Sequence, residues 1–193
     1  MTKEMIKSSQ QSGRSMIEML GVLAIIGVLS VGGIAGYSQA MAKFKVTKAT
    51  DQIQTAVTNI RTLYASARNY GTINSAVLYN AGAIGDEVCQ GTANCPNPLN
   101  TFGGGFFFAP TTGTTAGAVN KGFTINYTNL PSEACTKLAS YDWGDASSGL
   151  ISVSVDAGSS AVCSTANNSC PMDVAKTSTA CAGGNHYIIY TFR

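Results

Sequence analysis

The chain opens with a short polar segment and then carries a long apolar run. Residues 1–13 are mostly polar and include Lys3 and Lys7, whereas the 24 residues from Met19 to Ala42 carry no charge. At about 1.5 Å per helical residue, such a run is roughly 36 Å long, which is enough to cross the apolar core of a bilayer with some tilt. The pattern therefore predicts a helical membrane anchor near the start of the chain.

Beyond Tyr37 the apolar positions become periodic. They recur every three or four residues, as on one face of an amphipathic helix that packs against a core: Val46, Ala49, Ile53, Val57, Ile60, Tyr64 and Ala67. We predict that the N-terminal helix continues to about Asn69 and that Gly71 ends it. A shorter helix is expected over residues 74–80, followed by turns at Gly82 and Gly85.

After Cys95 the pattern favours β-structure. Four short runs rich in β-branched and aromatic residues are separated by Gly, Asn and Ser clusters, at 106–108, 123–128, 150–155 and 187–192. Residues 129–140 predict a turn and one or two helical turns, and residues 110–122 predict an exposed loop. The expected fold class is α+β, with one long helix packed on an antiparallel sheet of about four strands.

One carboxylate, Glu18, stands at the head of the apolar run, where a bilayer segment rarely tolerates a charge. Gly13, four intervening residues, Glu18 and a long apolar helix together resemble the class III signal of type IV prepilins and pseudopilins. In that family a membrane-embedded prepilin peptidase cuts after the glycine and methylates the new N-terminus. The resemblance implies a cut between Gly13 and Arg14, although the family usually has an apolar residue where this chain has Arg14.

The resemblance also implies an organisation, a fold and partners. It implies a leader peptide over residues 1–13, a transmembrane and assembly helix over 14–42, and a globular pilin head over 43–193. It implies insertion in the inner membrane with the head in the periplasm, contact with pilus assembly machinery, and polymerisation with further copies into an extracellular filament. Within that filament, the Glu18 carboxylate of one subunit is expected to neutralise the α-amino group of the next.

All six cysteines lie beyond the apolar run, which in an exported domain indicates three disulfides. Sequence alone leaves 15 pairings open. Proximity suggests the local loops Cys89–Cys95 and Cys163–Cys170. The resemblance implies that Cys135–Cys181 is the bridge that joins the C-terminal region of a pilin to its sheet. The final segment around these cysteines is faintly similar to type IVb pilins.

The composition points away from enzymes and nucleic-acid binders. Only 11% of residues are charged, the net charge is +2, and the single histidine is His186. No protease, phosphate-binding or serine-hydrolase motif occurs, so no catalytic residue, metal or cofactor is assigned. Asp142, Asp145, Asp156 and Asp173 lack EF-hand spacing and are interpreted as loop carboxylates. A structural pilus subunit is the expected function, with a type II secretion pseudopilin or a monomeric membrane-anchored periplasmic binding module as the alternatives.

Overall fold

The structure, a computed structural model, describes residues 5–67, 69–111, 120–156 and 162–193. The chain divides into two compact units, Met1–Phe44 and Lys45–Arg193. Helix α1 (Met5–Tyr64) contributes residues to both units.

The first unit consists of the N-terminal part of helix α1. Its large apolar side chains from Met16 to Tyr37 are 52–75% exposed. The helix continues without interruption past Gly27, Gly32, Gly33 and Gly36, where no atom of the described chain lies close enough to meet an added Cβ. The sequence pattern of an apolar helix is thus present, and its side chains are not covered within the subunit.

The second unit is an α+β domain. Its remaining helices are α2 (Ser75–Asn80), α3 (Asp86–Cys89), α4 (Ser132–Ala139) and α5 (Val174–Ala180), with a 3₁₀ turn at Thr165–Asn167. Its strands are β1 (Phe106–Thr111), β2 (Gly122–Pro131), β3 (Leu150–Val155), β4 (Val162–Ser164) and β5 (Asn185–Phe192). Asn74 caps helix α2 by accepting a hydrogen bond from the Val77 N–H at 2.9 Å.

The five strands form one antiparallel sheet in the order β1-β2-β5-β3-β4. The register places Phe106 opposite Tyr127 and Tyr127 opposite Ile188. Side chains alternate between the two faces along β5, where Ile188, Tyr190 and Phe192 are buried. One face of the sheet is therefore directed into a core.

That core lies between the sheet and the C-terminal part of helix α1. Ala49, Ile53 and Ile60 of the helix are fully or almost fully buried in one cluster with residues of the sheet. The helical spacing that predicted an amphipathic face is confirmed at these positions. Aromatic rings fill much of the sheet side: Phe106 lies 5.2 Å from Tyr127, and Phe123 lies 5.6 Å from Phe192, measured between ring centroids.

The structure corrects several details of the sequence prediction. The sheet has five strands, because the short strand β4 pairs with β3 through Val162, Cys163 and Ser164. Helix α1 ends at Tyr64, because the chain then turns and the Tyr70 N–H donates to the Asn120 carbonyl at 2.8 Å. The predicted loop at 110–122 is shorter, since strands β1 and β2 include its two ends; residues 112–119 lie outside the described part.

Candidate functional site: the apolar helix and the disulfide framework

The residues expected for processing and assembly all lie on helix α1. The surroundings of Gly13 and Arg14 fall outside the side chains that the structure describes, so cleavage between them stays a prediction. Glu18 is exposed near the start of the apolar surface that extends to Tyr37. The structure therefore places one carboxylate at one end of a long exposed apolar helical surface.

This surface is long and apolar enough for a membrane. The candidate span within helix α1 has a mean hydropathy of 2.2, and none of its apolar window is buried inside the subunit. An exposed apolar surface of this extent is unfavourable in water, which favours either lipid or another protein surface as its surroundings. By length and composition, such a helix could either cross a membrane or pack against the apolar surface of another protein.

Three disulfides join the cysteines of the second unit. The structure brings together the three pairs expected from the sequence, with Cα–Cα distances of 4.8 Å for Cys89–Cys95, 5.8 Å for Cys135–Cys181 and 5.0 Å for Cys163–Cys170. Cys135 lies on helix α4, and Cys181 follows helix α5. The longest disulfide loop therefore links helix α4 to the end of helix α5.

A series of polar contacts connects helix α1 with helix α3, which carries Glu87. Lys48 forms an ion pair with Glu87 at 2.9 Å, and Gln52 Nε2 donates to Glu87 Oε1 at 3.2 Å. These hydrogen bonds lower the pKa of Glu87. At the inner end, the Tyr127 hydroxyl donates to Gln52 Oε1 at 3.1 Å, and burial raises the pKa of Tyr127 to about 12. Tyr127 is therefore a neutral hydrogen-bonding group in the core.

Asn100 organises the segment before strand β1 and was not singled out from the sequence. Its buried side chain donates to the carbonyls of Gly105 at 3.1 Å and Thr128 at 2.7 Å. Its Oδ1 accepts from the N–H groups of Phe102 at 2.8 Å and Gly104 at 3.0 Å. A Cβ at Gly104 would lie 2.1 Å from the Thr128 carbonyl oxygen, so only glycine allows this close approach.

His186 packs inside the domain near the start of strand β5. Its Nδ1 lies 2.8 Å from Asp156 Oδ2, and its Nε2 lies 3.0 Å from the Gly183 carbonyl. Asp156 Oδ1 also accepts a hydrogen bond from the Tyr187 N–H at 2.9 Å. His186, to which the sequence assigned no catalytic role, thus helps to join the end of β3 to the start of β5.

The other aspartates considered as metal ligands have separate local partners. Asp142 and Asp145 accept hydrogen bonds from nearby N–H groups in the segment before strand β3, and Asp173 caps helix α5. Within the described residues, no group of three or more potential metal ligands comes together.

An N-terminal helix with an exposed apolar half, packed through its second half on an antiparallel sheet, defines the pilin class of fold. The comparisons with known proteins agree with that class. The family described as PilS N terminal matches residues 43–193. The chain belongs to this family, and it is a type IV pilin, a structural subunit and not an enzyme.

Two similar proteins are described as structural subunits of a pilus. The major structural subunit of bundle-forming pilus from Escherichia coli O127:H6 is 28% identical over 149 residues, which is 77% of this chain and 74% of the relative. The corresponding subunit from Escherichia coli O111:H- matches to the same extent.

Two solved structures resemble the chain in fold. The type IVb pilin from Salmonella typhi gives a TM-score of 0.51 at 20% identity, covering 77% of this chain and 97% of that one. TcpA, a type IV pilin from Vibrio cholerae El Tor biotype, gives a TM-score of 0.49 at 17% identity, covering 77% and 99%.

Proposed function

We propose that this pilin is cut between Gly13 and Arg14 by a prepilin peptidase, methylated at the new N-terminus, and polymerised into an extracellular filament. Before assembly, residues 14–42 anchor it in the inner membrane with the head, residues 43–193, in the periplasm. The observation that carries the proposal is the exposed apolar surface of helix α1 with Glu18 near its start.

Assembly transfers this apolar surface from lipid to neighbouring helices. A carboxylate deep in a bilayer is costly, by about 3 kcal/mol on insertion scales. Cleavage would create an α-amino group at Arg14 that is mostly cationic at neutral pH, and Glu18 would be the fifth residue of the mature chain. Pairing the carboxylate of one subunit with the amine of the next would neutralise both charges and set the register between subunits.

The disulfide framework supports a position for the head on the outside of the filament. Three disulfides in one domain are typical of proteins that function in oxidising surroundings, where they persist. We propose the pairs Cys89–Cys95, Cys135–Cys181 and Cys163–Cys170 as the native connectivity. They would staple the head of a long-lived surface fibre.

Lateral aggregation of filaments is the use that we propose first among adhesion, aggregation, motility and DNA transfer. The relatives from Escherichia coli are subunits of a pilus described as bundle-forming. Aggregation would require contacts between heads of different filaments, and in the proposed fibre the heads form the outer surface.

Shearing of cells tests the proposed function. We expect the chain in sheared filaments and expect a deletion strain to lack those filaments under the electron microscope. Recovery only in the cell envelope would contradict the proposal and favour a pseudopilin or a monomeric anchored module. Filaments that contain the chain but stay separate would contradict only the proposed aggregation.

A further inference from the structure

The edge of the sheet at strand β4 is covered by the chain itself. Strand β4 is the last strand in the sheet order, and it pairs with β3 through Cys163 opposite Val153 and Ser164 opposite Ser152. The chain then turns back. The Ser164 N–H donates to Ser169 Oγ at 2.8 Å, and the Ser164 carbonyl accepts from the Ser169 N–H at 3.1 Å. The backbone groups of Ser164 that are directed away from β3 are therefore already paired.

The Cys163–Cys170 disulfide holds this covering turn, residues 165–170, against the edge. It joins a residue of β4 to the residue directly after Ser169, with the two Cα atoms 5.0 Å apart. Residues 165, 166, 168 and 169 are exposed or half-exposed, so burial of apolar surface contributes little to the position of the turn. Thr165 is bound to β3 through its hydroxyl, which donates to the Leu150 carbonyl at 2.9 Å, but Ser169 lies at the other end of the turn. The disulfide is therefore the main constraint that keeps Ser169 beside Ser164.

The opposite edge of the described sheet, at strand β1, is obstructed without a disulfide. The Thr128 N–H donates to the Gly105 carbonyl at 3.0 Å, so alternate residues from Phe106 to Pro110 direct their backbone groups away from β2. Of these, the Phe106 N–H donates to the Pro98 carbonyl at 3.0 Å, and Pro110 has no N–H to donate. Proline in an edge strand hinders pairing with a further strand. The β4 edge is thus the one whose closure depends on a cross-link.

An uncovered β4 edge would suit the same edge of a second copy. The N–H and C=O groups of an edge strand are a template for another strand. Two identical edges can pair antiparallel about a two-fold axis, so that each copy satisfies the other. Neither strand β3, with the sequence LISVSV, nor strand β4, with the sequence VCS, contains a charged residue. Identical edges would therefore meet without charge repulsion.

We propose that the β4 edge is a latent strand-pairing surface for a second copy of this chain, kept closed by the covering turn and its disulfide. In a chain with the Cys163–Cys170 disulfide, Ser169 occupies the place of a partner strand. In a chain that lacks this disulfide, β4 pairs with β4 of another copy. This inference does not depend on cleavage at Gly13 or on filament assembly.

Two cysteine-pair variants provide a matched test. Cys163→Ser/Cys170→Ser releases the covering turn, whereas Cys89→Ser/Cys95→Ser removes a disulfide between cysteines six residues apart, close to the seven of the first pair. The size of full-length protein in excess detergent micelles is measured by sedimentation at rising protein concentration. We expect the first variant to associate at concentrations about tenfold or more below those that the original protein or the second variant needs. Equal association of the two variants, or a folded first variant that stays the size of the original protein, would overturn the proposal.

Amide hydrogen exchange locates the contact. In the original protein the Ser164 amide is expected to be protected at every concentration. Without the Cys163–Cys170 disulfide, the amides of residues 162–164 are expected to exchange about tenfold or more faster in dilute protein and to regain protection in the associated protein. Association in which these amides still exchange fast would assign the contact to another surface and overturn the β4 pairing.

Ser169→Ala tests the closure with all three disulfides kept, so it gives an answer even if the cysteine variant does not fold. It removes the acceptor of the Ser164 N–H, and the exchange rate of that amide is expected to rise about tenfold or more. Thr179→Ala, which removes an exposed hydroxyl from helix α5, is expected to leave that rate unchanged. An unchanged rate in Ser169→Ala would overturn the closure assigned to Ser169.

Discussion

The side chain of Asn100 forms hydrogen bonds with several backbone groups near strand β1. It makes four hydrogen bonds, two as donor and two as acceptor, in a buried position. Asn100→Ala is expected to lower the free energy of unfolding by about 2–4 kcal/mol, because buried groups such as the Gly104 N–H lose their partner. Chemical unfolding of the full chain in micelles, followed through Trp143 fluorescence, measures the change.

Asn74→Ala provides the control for that measurement. It also removes an asparagine that bonds to backbone, but the bond is an exposed helix cap, with an expected cost of about 1 kcal/mol. If Asn100→Ala costs no more than Asn74→Ala, the importance assigned to the Asn100 contacts is wrong.

Gly13 is the residue at which we propose that the precursor is cut. Gly13→Val is expected to leave an uncut, membrane-bound precursor, because a branched side chain should not fit a peptidase site that accepts glycine. N-terminal sequencing of the mature original protein is expected to begin at Arg14. Gly21→Val, in the same helix at a position with open space, should still be cut. A mature chain that starts after residue 30 would mean an ordinary signal peptide.

The predictability of individual residues depends on whether their role is local. Glu18 is recognisable from the sequence because a carboxylate at the start of an apolar run is unusual whatever the fold of the rest of the chain. Asn100 is an ordinary residue in the sequence, and its importance comes from partners such as Thr128 that only the fold brings near. No local pattern could have identified it.

At the scale of elements, the strongly patterned segments were predicted and the weakly patterned ones were not. The amphipathic part of helix α1 and four of the strands follow from periodicity and residue type. Strand β4 has three residues, too few for a pattern, and it forms because β3 offers a free edge. Helix α5, rich in Thr, was missed although Asp173 in front of it is a good N-cap.

The Cys135–Cys181 disulfide connects helix α4 with the end of helix α5, and the two cysteines are 46 residues apart in the sequence. Replacing both cysteines by serine is expected to destabilise the head by about 2–5 kcal/mol, because the unfolded chain loses its longest loop constraint. The same change at Cys89 and Cys95, separated by only six residues, is expected to cost less and to reduce filament yield less. Thermal unfolding and the amount of sheared filament measure these effects.

Peptide mapping without reduction tests the connectivity on which this comparison depends. We expect a peptide that joins Cys135 to Cys181. A peptide that joins Cys135 to any other cysteine would refute the proposed pairing.

The molecule as a whole consists of two units with opposite surface properties. Residues 45–193 form a domain with its own core and disulfides, whereas the first unit exposes almost every large apolar side chain that the structure describes. A single subunit in water leaves the apolar side chains of the first unit exposed, which is energetically unfavourable. Lipid before assembly and neighbouring helices afterwards would both cover it, so the proposed life cycle supplies an apolar environment at each stage.

Glu18 tests the step between these two environments. Glu18→Ala removes a carboxylate from an apolar segment, so the subunit should insert in the membrane at least as well as before and should still be processed. Assembly should fail, because the new α-amino group would enter the filament without the carboxylate that we propose neutralises it, next to the second positive charge of Arg14. Removing one partner of a buried ion pair typically costs about 3–5 kcal/mol, here at each added subunit.

In cells without the original subunit, sheared filaments should be few or absent. Asp51→Ala, which removes an exposed carboxylate from the head part of the same helix, should leave their amount unchanged. Normal amounts of filament from Glu18→Ala would show that the proposed pairing is wrong.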